Sequence, residues 1–104
     1  MINIQIEFES DEEVLEEVLF SEPNRWKVIF HNDDHTSMDF VVFLLVEIFH
    51  HTPRSANDIM IEIHEEGSGV VGIYDHEIAE EKALSSMRIA RENNFPLEVT
   101  IEEE

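Results

Sequence analysis

The chain opens on a strict alternation, with Ile2, Ile4, Ile6 and Phe8 on one side and polar groups on the other. That is the pattern of a half-buried strand. Ser10 to Glu13 has capping-box spacing, and Val14, Leu15, Val18 and Leu19 make a short amphipathic stripe after it. Ser21-Glu22-Pro23-Asn24 closes this segment. Trp26 to His31, rich in aromatic and β-branched residues, predicts the first strand of the core. Residues 37 to 50 then form an apolar run too long for a strand. Phe40, Val41, Phe43, Leu44, Leu45, Ile48 and Phe49 wrap most of a helix, which predicts burial on more than one side. Thr36 is the expected N-cap, with Asp39 in the capping-box place.

Pro53 forbids a smooth continuation past His50 and His51. A second helix is expected from a Ser55 cap to Glu66, stopped by Gly67. Its stripe is Ala56, Ile59, Met60, Ile63 and His64. Val70 to Tyr74 reads as a strand. Asp75 caps a third helix over His76 to Asn93, with Ile78, Ala79, Ala83, Met87 and Ala90 inward. After Pro96, Leu97, Val99 and Ile101 alternate with Glu98, Thr100 and Glu102, a last strand with one buried face. From Trp26 the order is β-α-α-β-α-β. This predicts an α+β fold, a three-stranded antiparallel sheet packed against three helices. Residues 26–104 form that core, and residues 1–25 an acidic N-terminal extension, with eight acidic residues and no basic one in 1–24.

Composition narrows the partners. A length of 104 residues fits one domain. The formal charge of -19, from 25 acidic residues against 6 basic, would repel a phosphate backbone, so no nucleic acid is expected. No long apolar run or basic leader appears, so neither a membrane span nor a secretory signal is expected. The absence of cysteine removes thiol chemistry and is compatible with a reducing cytoplasm.

Candidate chemistry centres on His31 to Phe40. Asn32, Asp33 and Asp34 suit a strand-to-helix corner because Asn and Asp bond their own backbone. Two readings fit: a well-capped turn, or a small cation-binding rim over an apolar hole. The six histidines do not fall at metal-ligand spacing on one helix face, and adjacent His50 and His51 stand about 100° apart. No metal site and no cofactor are expected. Without cysteine or a serine in a nucleophile motif, the chain is not expected to be an enzyme.

Four spaced blocks, KVIFHNDDHTSMDFVV, MIEIHEEG through GIY, EIAEEKA and ARENNFPLEVT, closely resemble the ClpS adaptor family from about Trp26 to Thr100. The resemblance implies an adaptor that carries proteins with a free N-terminal Leu, Phe, Tyr or Trp (an N-degron) to an AAA+ Clp unfoldase. It places Asn32, Asp33, Asp34 and His64 at a rim receiving the α-amino group. Thr36, Met38, Val41, Met60, Ile63 and Leu97 become walls around the first side chain. Met38 corresponds to the gatekeeper against β-branched residues. Glu77 and Lys82 are implied to dock the N-domain of the unfoldase, ClpA or ClpC. His35 and Ser37 depart from the aromatic and the proline common there. The same β-α-α-β-α-β plan also serves the ribosomal stalk protein's C-terminal domain, so a plain interaction module without a pocket is the rival reading. Nothing in the pattern demands more than a monomer.

Overall fold

Val28 and Phe30 are completely buried while their neighbours are only partly so. An alternation with its apolar members fully enclosed suits a strand flanked on both edges. In the computed structural model, which describes residues 25–104, that strand is the middle one. The strand and helix expected before Asn24 lie outside the described residues.

The order is β1 (Arg25–His31), α1 (Met38–Glu47), α2 (Pro53–Glu66), β2 (Ser68–Asp75), α3 (His76–Glu92) and β3 (Glu98–Glu103). The sheet runs β2-β1-β3 with both pairings antiparallel, as the sequence predicts. Its inner face, Val28, Phe30, Val71 and Val99, shares one hydrophobic cluster with Leu44 and Leu45 of α1, Ala56 and Ile63 of α2, and Ala79, Ala83 and Ala90 of α3. Small alanines on α3 let that helix lie close across all three strands. α2 packs against β2 on one side and α1 on the other.

Three local expectations are corrected. The cap of α1 is Ser37, whose hydroxyl accepts the Phe40 N–H at 3.1 Å, and not Thr36. The cap of α2 is Thr52, accepting the Ser55 N–H at 3.1 Å, and not Ser55. Proline is preorganised for the first helical position, so Pro53 begins the helix rather than preceding it. Finally, α1 stops at Glu47 instead of His50. His50 takes φ 62°, in the left-handed region, and the His51 N–H returns to the Leu45 carbonyl at 3.0 Å. The His51 imidazole meanwhile bonds the Val71 carbonyl at 2.7 Å, which draws the connection toward β2.

Nor is α1 enclosed on several sides. Val41, Leu44 and Leu45 face the core, whereas Met38 and Phe43 remain 45% and 50% exposed. One flank of an almost wholly apolar helix therefore meets solvent.

Candidate functional site

Asp33 shapes the corner between β1 and α1. Its Oδ1 accepts the backbone N–H groups of His35 and Thr36, each at 2.7 Å, and its Oδ2 accepts the Thr36 hydroxyl at 2.7 Å. Burial alone would raise the carboxyl's pKa. The bonds to Thr36 and His35, with the nearby His35 imidazole, outweigh it and hold the pKa below the ordinary 3.8. With Thr36 drawn into this loop, the capping role passes to Ser37.

The corner is fastened at its other end as well. The Asn32 N–H donates to the Gly67 carbonyl at 2.9 Å, and Gly67 in turn closes α2, with φ 94° and its N–H on the Ile63 carbonyl at 2.9 Å. Only glycine adopts that backbone without strain. His64 lies on the turn just before, about 4.5 Å of helix rise from Gly67. The exit of β1 and the end of α2 thus form one junction, with Asn32 and Asp34 on its β1 side and His64 on its α2 side. All three side chains are exposed. Among the described residues none of the three side chains has a hydrogen-bond or ion-pair partner. An amide oxygen, a carboxylate and an imidazole with open acceptor capacity suit a cationic group carrying several N–H donors.

His64 is more open than its place on the apolar stripe suggests. The buried members of α2 are Ala56 and Ile63, with Ile59 and Met60 half-buried. His64 stands about 100° round from Ile63 and falls outside the covered arc.

The expected wall residues run from surface to core. Val41, Ile63 and Leu97 are buried, at 7%, 3% and 1% exposure, and belong to one cluster against which Met60 packs. Thr36 is half-buried and Met38 is open to solvent. Leu97 is set by a residue that sequence reasoning did not single out. The Arg91 guanidinium donates to the Phe95 carbonyl at 3.1 Å, the Leu97 carbonyl at 2.8 Å and the Glu98 carboxylate at 3.1 Å. An arginine in the last turn of a helix suggests only a dipole partner. Its grip on the following loop is a tertiary fact. A groove of about 470 Å³ is lined by His35 and Pro96, the chain neighbours of Thr36 and Leu97, with Arg91, Asn94 and Phe95.

On α3, Glu77 is exposed and lines a shallow groove with the open side chains of Ile78 and Leu84, 41% and 59% exposed. Lys82 turns inward. Its ammonium donates to the Ile48 carbonyl at 2.7 Å and lies 5.8 and 5.4 Å from the centres of the Phe49 and Tyr74 rings, within cation–π range. Lys82 borders a second groove, which shares Ile78, Glu81 and Ser85 with the first, so both residues edge one face of α3. Among the described residues no three His, Asp or Glu side chains gather to hold a metal ion. No helix among them is long and apolar enough to cross a membrane.

Known proteins resemble this chain in sequence and fold. The family model for ATP-dependent Clp protease adaptor protein ClpS matches residues 21–100. The ClpS adapter protein of Desulfotalea psychrophila is 43% identical over 96 residues, 92% of this chain and 94% of that one. That of Campylobacter jejuni strain RM1221 is 48% identical over 92 residues, 88% of this chain and 96% of that one. The structure of Agrobacterium tumefaciens ClpS2 bound to L-phenylalaninamide superposes with a TM-score of 0.77 at 35% identity, covering 80% of this chain and 100% of that one. By sequence and by fold, the chain belongs to the ClpS family of ATP-dependent Clp protease adaptors.

Proposed function

We propose that this adaptor binds proteins through a free N-terminal Leu, Phe, Tyr or Trp and delivers them to an AAA+ Clp unfoldase for degradation. The observation that carries this reading is one junction holding open acceptors beside a wall that descends into the core. An α-amino group has a pKa near 8 and is mostly a cation with three donors at neutral pH. Asn32, Asp34 and His64 receive it. Asp33 spends three of its roughly four acceptor sites on its own loop and chiefly holds the rim in shape. The first side chain enters between Thr36, Met38, Val41, Met60, Ile63 and Leu97. The Agrobacterium ClpS2 ligand has the same two parts, a free α-amino group and an aromatic side chain.

Magnitudes favour a carrier over a trap. Charge-assisted hydrogen bonds contribute roughly 1.5–3 kcal/mol each, and burying a Leu or Phe side chain another ~1.5–3 kcal/mol. Association costs ~4 kcal/mol or more, so with three such bonds micromolar is about the tightest affinity these figures allow. The α3 face docks the N-domain of the unfoldase, ClpA or ClpC. Glu77 offers a carboxylate there, and Lys82 the donors left over from its bond to Ile48. The chain works as a monomer in the cytoplasm.

Fluorescence anisotropy with a Phe-initiated peptide tests the reading. Micromolar binding is expected, with the N-acetylated peptide weaker by about thirtyfold or more, because acetylation removes the charge and two donors. Equal binding of the acetylated peptide contradicts it.

A further inference from the structure

We propose that Gly69, on β2, is a positioning residue that sets the depth of the first-residue pocket by making room for Ile63. The inference rests on the reading of Ile63 as a pocket wall.

Two glycines flank Ser68, and they are there for different reasons. Gly67 needs its left-handed backbone, at φ 94°, and a Cβ on it would meet nothing within 4 Å. Gly69 is the opposite case. Its φ is not in the left-handed region, it is buried opposite Phe30, and a Cβ on it would stand 2.9 Å from Ile63 Cγ1 and 3.8 Å from Ile63 Cδ1. Carbon atoms rest at about 3.5–4.0 Å, so the isoleucine would have to withdraw by about half an ångström or more.

Ile63 has few ways to withdraw. The contact is at Cγ1, next to the branch point, and a β-branched residue in a helix has essentially one χ1 rotamer. Its backbone is pinned, since the Ile63 carbonyl receives the Gly67 N–H and the Gly67 carbonyl receives the Asn32 N–H. Relief therefore comes from tilting the Ile63 side chain or from lifting the end of α2 off β2. Tilting changes the wall itself. Lifting carries Met60, Ile63 and His64 together away from the corner. Either movement alters the cup before it alters the rest of the core, where Val71 and Val28 keep their partners.

The missing methyl at position 69 and the isoleucine at position 63 thus act as one unit. A smaller side chain at 63 would tolerate a larger one at 69.

Thermal melts and anisotropy on Gly69→Ala, Ile63→Ala and the double variant test this, with peptides beginning Leu, Phe, Tyr and Trp. Gly69→Ala is expected to weaken the Trp and Phe peptides about tenfold and the Leu peptide about threefold, reordering the preference as an overpacked wall would. In the Ile63→Ala background, which has no γ carbon, the same substitution should change affinity less than about twofold and leave the melting temperature unmoved. Affinities in Gly69→Ala that keep the wild-type order and change by the same factor for all four peptides would overturn the proposal while leaving peptide binding intact. If Gly69→Ala alone does not fold, the double variant decides: folding and Trp-peptide binding there support the coupling, and failure to fold contradicts it. If the wild-type chain binds none of the peptides, the pocket reading falls and the proposal falls with it.

Discussion

The two ends of α1 are built on opposite plans. At its N-terminal end one carboxylate, Asp33, bonds its own loop and leaves the exposed Asn32 and Asp34 side chains open. At its C-terminal end the polar groups find protein partners: Lys82 bonds the Ile48 carbonyl, and His51 bonds the Val71 carbonyl and, at 3.4 Å, the Ser55 hydroxyl. The first end is held in shape with acceptors to spare. The second is a joint that ties α1 to α3, β2 and the start of α2. An edge with open acceptors and a structural joint draw on the same residue types and are told apart by where the hydrogen bonds go.

The largest stability effect lies at the joint. Lys82→Met keeps the aliphatic stem but removes the ammonium from the Ile48 carbonyl and from the Phe49 and Tyr74 rings. A loss of about 1–2 kcal/mol in denaturant unfolding is expected, because a charge-assisted bond at a partly exposed site is involved. Affinity for a Phe-initiated peptide should stay within about twofold, since no first-residue contact changes. A large loss of peptide binding with unchanged stability would erase the distinction between the two ends.

A smaller, pH-dependent effect belongs to Asp33. Its folded pKa lies below 3.8, so its contribution to stability is whole above that value and is lost as pH falls through the lower folded value. Asp33→Asn should be less stable than wild type at neutral pH. The gap should close as pH drops well below 3.8. Melting curves across that range check it, and a constant gap would mean that the carboxylate's charge does not fasten the loop.

Much of this was readable from the residues. The aromatic and β-branched run of β1, the alternation of β3 and the stripes of α2 and α3 predict the element order, since sheets and helices bury one face with fixed periods. The Asn32-Asp33-Asp34 corner stands out because Asn and Asp are turn formers, yet their types could not divide the labour between the aspartates. That division depends on Thr36 folding back onto Asp33, which also shifted the α1 cap to Ser37. The end of α1 and the inward turn of Lys82 were illegible for a similar reason. Both depend on groups 20 and 34 residues away, the Val71 carbonyl and the Ile48 carbonyl. Nothing in the sequence marks Gly69, and only the approach of Ile63 gives it a role.

Whether neighbouring aspartates divide the labour, Asp34 on the rim and Asp33 fastening the loop, is tested most directly by paired affinity and stability measurements on Asp33→Asn and Asp34→Asn. Asp34→Asn is expected to weaken Phe-peptide binding about tenfold or more with an unchanged melting temperature, the loss of one charge-assisted contact. Asp33→Asn is expected to lower the melting temperature as well as the affinity. If Asp34→Asn binds like wild type while Asp33→Asn loses binding at full stability, the assignment of rim and fastener is wrong.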